Sequence, residues 1–357
     1  QIPWRHQESD FIDFDRDRLR FHMISNEGPK AAVGDIDRDG LDDLILVGAK
    51  GQATSVWKQK KDGSFVLTDE FKEDALSEDV EALLFDATGN GFLDLYLASG
   101  SIEFDMNNPN FQDRLYINDG KGNFRKSANQ LPIRLESTSF VKAFDYNEDG
   151  HLDLLVGGRS IPFAYGIPLD LRLLENDGKG NFTDVTDNVA EVFLKTGMTR
   201  DAAIADIDGD GEAEIIVVGE WMPIKIFKKV NGKYEDQSEK FGLANTGGLW
   251  NTIQILDINN DGKLDFIAGN MGLNTRLKAS ADKPLQLFIN DFDQNGSIEQ
   301  ILMQYEGETS FPLVLKGTLL KQLPSLRKQI LNYDAYKDKT LTDLFPKVLL
   351  ENSLVLD

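Results

Sequence analysis

Short apolar runs recur along the chain, each about four residues long: Leu44-Ile45-Leu46-Val47, Leu95-Tyr96-Leu97-Ala98 and Ile215-Ile216-Val217-Val218. Gly48, Gly157 and Gly219 end such runs. A brief apolar segment, rich in β-branched residues and closed by glycine, predicts a buried β-strand. In front of each run stands a polar stretch that reads Asp-x-Asp/Asn-x-Asp-Gly-x-x-Asp. It occupies residues 35–43, 145–153, 206–214 and 257–265, with looser copies at 86–94 and 291–299. The first full unit predicts strands over 31–34, 43–47, 54–60 and 64–68, the last two joined by the hairpin dipeptide Asp62-Gly63. That hairpin recurs as Asn118-Asp119-Gly120-Lys121-Gly122-Asn123-Phe124, nearly verbatim over 176–182, and in short form as Asn231-Gly232-Lys233-Tyr234.

Successive polar stretches start 51, 59, 61, 51 and 34 residues apart. Four short strands every 50–60 residues or so is the sequence signature of propeller blades, so the pattern predicts an all-β β-propeller. The longer second and third units carry their extra residues at 99–113 and 158–170, where insertions emerge as loops on one face. The fifth unit is short. Its second strand runs into a polar segment, 269–284, and a strand at 285–290 then leads to the sixth stretch. That stretch either belongs to the second hairpin of blade five or opens a sixth blade, and the strand-loop-strand order favours the latter. Residues 319–345 switch to helical spacing and predict two short helices, with Pro324 in the first turn of one. The organisation is thus a lead-in (1–28), propeller blades (29–305), and a helical insert with the start of a returning strand (306–357). Within the lead-in, Phe11-Ile12-Asp13-Phe14 and Leu19-Arg20-Phe21-His22 alternate as strands do. No residues remain for a seventh blade, so the ring is expected not to close on these residues alone. The lead-in is the expected local filler.

Each polar stretch has the composition of a loop for a hard cation. Side-chain oxygens at positions 1, 3, 5 and 9, with the backbone carbonyl of position 7, match the six to eight oxygens that calcium takes. Glycine at position 6 supplies the sharp turn. The predicted ligands are Asp35, Asp37, Asp39, Leu41 and Asp43; Asp86, Thr88, Asn90 and Asp94; Asp145, Asn147, Asp149, His151 and Asp153; Asp206, Asp208, Asp210, Glu212 and Glu214; Asp257, Asn259, Asp261, Lys263 and Asp265; and Asp291, Asp293, Asn295, Ser297 and Glu299. Occupancy by four to six Ca²⁺ is expected, led by the loops at Asp35, Asp145, Asp206 and Asp257. The loop at Asp86 ranks last, with two formal charges. An EF-hand requires a bidentate Glu at position 12. Here position 12 is Leu46, Leu97, Val156, Val217, Ala268 and Leu302, so each loop lies between strands and not between helices.

The net charge of −22 disfavours nucleic acid, whose phosphates it would repel. Nineteen carboxylates sit at the four ligand positions of the six loops, and six calcium ions would bring −22 to −10. Absent cysteine excludes disulfides and thiolate chemistry. No apolar run is long enough to span a membrane, and Gln1 opens no signal-peptide pattern.

With these motifs in hand, residues 29–305 resemble a run of VCBS/FG-GAP repeats, the calcium-loop blades of integrin α-subunit propellers and of many bacterial surface proteins. The stretches 137–145, Gly219-Glu220-Trp221-Met222-Pro223 and Gly269-Asn270-Met271-Gly272-Leu273-Asn274 are similar to large bacterial VCBS-repeat proteins related to the ASPIC/UnbV group. The resemblance implies a seven-bladed type and an extracellular or outer-surface location. In that group further blade segments follow the helical insert, which implies a fragment here. Loops of this kind bind calcium too weakly to fill in a cytosol, which points the same way.

Two functions remain. The favoured one is a non-enzymatic, calcium-stabilised scaffold that engages a protein or glycan at the cell surface, such as an outer-membrane uptake or surface complex. The alternative is a propeller-based polysaccharide-degrading enzyme of lyase type. Phe104, Arg159, Phe163, Tyr165, Trp221 and Trp250 are the candidate contact residues, although packing between blades accounts for such side chains more often. No catalytic residue is assigned: His151 lies at a carbonyl-ligand position, and His6 and His22 stand outside any motif.

Overall fold

The computed structural model describes residues 2–28, 30–272 and 274–357. Its strands fall into antiparallel sheets that follow the polar stretches in order. Unit one holds β1 (Ala31–Gly34), β2 (Asp43–Leu46), β3 (Ser55–Gln59) and β4 (Phe65–Glu70), and unit two holds β5 (Asp79–Phe85), β6 (Asp94–Ser99), β7 (Arg114–Asn118) and β8 (Phe124–Lys126). Unit three is β9 (Thr138–Phe144), β10 (Asp153–Gly158), β11 (Leu171–Asn176) and β12 (Phe182–Asp184). Unit four is β13 (Met198–Ala205), β14 (Glu214–Met222), β15 (Lys225–Val230) and β16 (Lys233–Asp236). Each is a simple four-stranded meander of the propeller type. Unit five has two strands, β17 (Gly248–Leu256) and β18 (Asp265–Asn270), and β17 also pairs with the extended end of β14 at Glu220 and Met222.

The alternation of side chains along each second strand decides how the sheets stack. Ile45, Val47 and Val56 of unit one meet Leu95, Leu97 and Tyr116 of unit two. The opposite face of β6 carries Tyr96 and Ala98, which meet Leu154, Val156 and Leu174 of unit three. Leu155, Leu171 and Leu173 then meet Ile215, Val217 and Phe227, and Ile216, Val218 and Ile226 meet Ile253, Phe266 and Ala268. Each fully buried side chain of this kind stabilises by about 1.5–3 kcal/mol. The repeated hairpin has its own reason: Asn118 Nδ2 donates to Ile36 O (2.8 Å) and Asn176 Nδ2 to Ala87 O (2.9 Å), each one unit back. The near-verbatim sequence is therefore a clamp between neighbouring sheets.

The fifth sheet has the order β21-β20-β19-β22, from β19 (Gln286–Asn290), β20 (Glu299–Glu306), β21 (Thr309–Pro312) and β22 (Leu354–Leu356). It packs Leu287, Ile289 and Leu302 against Tyr165, Trp221 and Leu249. Helical turns elsewhere are few: α1 (Asp13–Arg16), α2 (Thr186–Val189), α3 (Lys316–Gln322), α4 (Leu341–Leu344) and α5 (Lys347–Glu351), with 3₁₀ turns between. Pro324 opens a 3₁₀ turn, Pro324–Lys328. Leu319, Leu323, Leu326, Leu341 and Phe345 bury against Ile301 and Met303 of β20, whereas Leu331 is 78% exposed and lies outside the apolar stripe. No helix among the described residues is long and apolar enough to cross a membrane.

The lead-in differs from its expected strands. Among its described residues it forms the single turn α1 and otherwise irregular chain. The cause is Asp13, fully buried, whose Oδ2 accepts the amides of Ile24 (2.7 Å) and Ser25 (3.3 Å) and faces Arg20 (3.5 Å). These bonds fold the segment back on itself, and a solvated alternating strand cannot supply them. It lies across the inserted loops of units two and three, with Ser9 Oγ donating to Glu103 (2.8 Å) and Arg16 stacked 4.2 Å from the Phe163 ring.

Candidate metal-binding loops

All six polar stretches fold the same way, by the same local bonds. The position-1 carboxylate accepts the amides of positions 5 and 6: Asp35 from Asp39 (3.1 Å) and Gly40 (2.9 Å), Asp145 from Asp149 (3.1 Å) and Gly150 (2.8 Å), Asp291 from Asn295 (2.9 Å) and Gly296 (2.7 Å). Asp86, Asp206 and Asp257 repeat the pattern. The position-5 side chain accepts the amide of position 7 in turn, as Asp39 does from Leu41, Asp149 from His151, Asp210 from Glu212, Asp261 from Lys263 and Asn295 from Ser297. Position 6 is always glycine, at φ between 83° and 94°, which L side chains rarely adopt.

Position 9 does a different job. Asp43, Asp94 and Asp153 are buried, each accepting the position-2 amide with one oxygen and a third-strand amide with the other. Burial pushes these carboxyls up, Asp153 to about 6 and Glu299 of the sixth loop to about 7. The position-9 acid is thus a brace that ties loop to sheet as well as a predicted ligand.

Donor atoms gather most closely in three loops: Asp35 with Asp37 and Asp39, Asp206 with Asp208 and Asp210, and Asp291 with Asp293 and Glu299, each set within 4.8 Å. In two of these the position-3 acid carries an orphan. Asp37 Oδ1 and Asp293 Oδ1 are buried and accept no hydrogen bond. An unsatisfied buried carboxylate oxygen is costly, and a divalent cation satisfies it. Third-strand lysines reach two of the loops: in the first, Lys58 Nζ lies 3.1 Å from Asp37 alone, and in the fourth one lysine meets three acids. Lys228, from β15, places Nζ 2.6 Å from Asp208, 2.7 Å from Asp210 and 2.8 Å from Glu214. In the second loop Thr88 donates to Asp94 (3.2 Å), and in the third and fifth Asn147 and Asn259 turn their Nδ2 onto Asp149 and Asp261.

Away from the loops, insert residues, the lead-in and the end of β14 converge on an ionic network that is buried at Arg159, Tyr165 and Glu220 and exposed at Glu27. Arg159 donates to Glu27 (2.6 and 3.1 Å) and to Glu220 (2.8 Å), the Tyr165 hydroxyl donates to Glu220 (2.7 Å), and Trp221 Nε1 donates to Tyr165 (3.0 Å). Burial pushes Glu220 up, but Arg159, His22 and the Tyr165 hydroxyl together outweigh it and hold the carboxyl well below the usual range. Burial and the adjoining Glu220 hold the Tyr165 phenol far above its ordinary value. Phe104, Arg159, Tyr165 and Trp221 are buried, Trp250 is half-buried, and Phe163 remains partly exposed. Sequence reasoning missed Glu27, His22 and Glu220, because Glu220 stands more than 190 residues from the other two and no motif joins them.

A separate carboxylate gives a pH signature. Glu78 is buried, and desolvation together with Glu8, Glu103 and Asp79 pushes it up to about 8. The folded state therefore keeps a proton that the unfolded chain loses near 4.5. Its stabilising contribution is complete below about pH 4.5 and is lost as pH rises through 8. Glu78→Gln is expected to gain on the parent protein across that window, by on the order of 3 kcal/mol. Paired thermal melts at pH 5 and pH 8.5 check this, and an equal difference at both would refute it.

A family model of the FG-GAP-like repeat matches residues 35–97, 86–156 and 206–268, which together cover 185 of 357 residues. No curated protein matches the sequence. Among solved structures, the chain is similar to an Agrocybe aegerita lectin that recognises non-reducing terminal N-acetylglucosamine (21% identity, TM-score 0.41, 68% of this chain and 60% of that one). It thus spans about 60% of that lectin's length. It is also similar to the V. cholerae biofilm matrix protein Bap1 (12%, TM-score 0.34, 82% and 48%) and to a thermostable family-43 glycoside hydrolase (9%, TM-score 0.38, 81% and 96%). With three repeat matches lying on the sheet-loop-sheet units described above, the chain belongs to the FG-GAP-like repeat family.

Proposed function

We propose that the chain is a calcium-stabilised, non-catalytic binding scaffold of the seven-bladed propeller type, working at the bacterial cell surface on a protein or glycan. The observation that carries the calcium reading is the pair of orphaned oxygens, Asp37 Oδ1 and Asp293 Oδ1, each beside further acids of its own loop. Bound calcium would supply positive charge at these points and lock each loop between its two strands. Asp35, Asp37, Asp39 and Asp43 hold it in the first loop, and Asp291, Asp293 and Glu299 in the sixth. The ranking of sites therefore favours the first and sixth loops, followed by the third and fifth.

The non-catalytic reading is supported by the network at Arg159. Tyr165 and His22 sit with an arginine and a glutamate, a set of types suited to proton abstraction. But the phenol is buried and held protonated, and Arg159 is committed to two carboxylates. Such a group braces loops and makes a poor base. Asp37→Asn and Asp293→Asn are the direct test. Each is expected to remove one calcium site in a calorimetric titration while leaving the metal-free melt unchanged. Retention of every site in both variants would sink the assignment.

The fourth loop gives a sharper prediction. Its three acids already neutralise Lys228, and burial opposing them does not prevent the ammonium from being held well above its ordinary value. Lys228→Met frees the acids and is expected to raise calcium affinity at that loop by about tenfold or more. A titration in which the variant gains no affinity would show that the ammonium does not compete.

A further inference from the structure

Unit five stops after two strands, and its neighbours show what such a unit is built to receive. In units one, two and three, the third strand donates an amide to the position-9 acid: Gln59 to Asp43, Asn118 to Asp94 and Asn176 to Asp153, each at 2.8 Å. Asp265, the position-9 acid of unit five, accepts the Ile258 amide with Oδ2 (3.1 Å), and among the described residues its Oδ1 accepts nothing. β18 is the last strand of its sheet, so its outer edge is unpaired.

A second, independent feature is aromatic. An apolar residue one to nine positions beyond the fourth strand of one unit packs toward a large third-strand residue of the next. Phe71 stacks on Tyr116 at 4.3 Å, Leu131 packs against the cluster that holds Leu174, and Phe193 meets Phe227 at 4.9 Å. Those third-strand residues pair with position 10 of their own units, Leu95, Leu154 and Ile215. After unit four the corresponding residue is Phe241, and position 10 of unit five is Phe266. Between them lies a cavity of about 500 Å³, walled by Ile207, Ile258 and Leu264 and open to solvent. The aromatic platform is present, and among the described residues no strand covers it.

Charge narrows the occupant. In units one and four the residue after the bulky third-strand side chain is lysine, and it turns back onto the loop acids: Lys58 to Asp37 (3.1 Å) and Lys228 to Asp208 (2.6 Å). The fifth loop carries Asp257, Asp261 and Asp265, with no lysine over them from a third strand.

We propose that the outer edge of β18 takes up an extended strand from a partner polypeptide as the third strand of unit five. The strand carries a large apolar residue opposite Phe266 and a basic residue next to it. Backbone pairing along the edge supplies the affinity, and the Phe241–Phe266 groove with the loop acids supplies the selectivity. The backbone pairing and the apolar groove do not depend on calcium, whereas the basic residue competes with calcium for the acids of the fifth loop, so the test below is run in excess EDTA.

The probe is a labelled synthetic copy of residues 223–237, which contains Phe227-Lys228 and the hairpin of unit four. Mixed with the full chain, it is expected to raise fluorescence anisotropy and to slow amide exchange over residues 264–270. A peptide with Phe227→Ala is expected to bind at least about tenfold more weakly. Leu264→Asp in the protein, a partly exposed position, is expected to weaken the parent peptide to a similar degree while the thermal melt stays unchanged. No protection of 264–270 at millimolar peptide overturns the proposal, as does equal binding of a scrambled peptide of the same composition. Protection of β18 on concentrating the protein alone overturns it too, since it assigns the edge to a second copy of the chain.

Discussion

Arg159→Met is expected to lower folding stability by about 3–5 kcal/mol, the penalty for removing one partner of a buried ion pair. Arg159 is almost wholly buried, and it is the cation between Glu27 and Glu220, the latter 2% exposed. Without it Glu220 retains only the Tyr165 hydroxyl and the weaker His22 contact at 3.3 Å. The loss has a pH signature. Glu220 is held well below its ordinary value, so the network's contribution is present above about 4.5 and disappears as pH falls through the lower folded value. The parent protein therefore loses this contribution in acid, whereas the variant has none to lose. Denaturant melts at pH 7 and pH 3 read both effects. A variant within 1 kcal/mol or so of the parent at pH 7 would mean that the network is solvated and contributes little.

Chelation is expected to have the larger effect. A site with ~0.1 mM affinity at ~1 mM free calcium adds roughly 1.4 kcal/mol, because calcium binds the folded loops and hardly the unfolded chain. Four such sites contribute about 5–6 kcal/mol, which for a chain of this size lowers the melting temperature by roughly 5–10 °C in excess EDTA. The loss should concentrate at the first and sixth loops, where a buried oxygen is left without a partner. A melt unchanged by EDTA and by added calcium would leave the loops as turns held by their own amide bonds alone.

Much of this architecture was legible because it is local. The position-1 and position-5 acids bond to amides four or five residues on, so spacing alone predicts the loop, and the apolar run that follows predicts the strand. The 34-residue interval before the sixth loop likewise signals the truncated unit five. What escaped lies at long range. Lys228 enters the fourth loop from a strand twenty residues away, and only the register of β14 with β15 brings it there. Glu27 reaches Arg159 across 132 positions, with no periodicity to announce it. The alternation of Phe11–Phe14 predicts a strand, whereas the Asp13 carboxylate is an interior anchor for amides eleven and twelve residues later. Of the candidate aromatics, Phe104, Phe163 and Tyr165 lie in the inserted loops, whereas Trp221 and Trp250 lie in strands β14 and β17, and the lead-in that packs on Tyr165 and Trp221 could not be read from them.

The central claim is that the six loops bind calcium and that this binding stiffens the scaffold. Isothermal titration of the metal-free protein with calcium tests it most directly. The account predicts four to six sites, the tightest lost in Asp37→Asn and Asp293→Asn, and a fourth loop that strengthens in Lys228→Met. Absence of any calcium heat, with no change in melting temperature on addition of the ion, would contradict it.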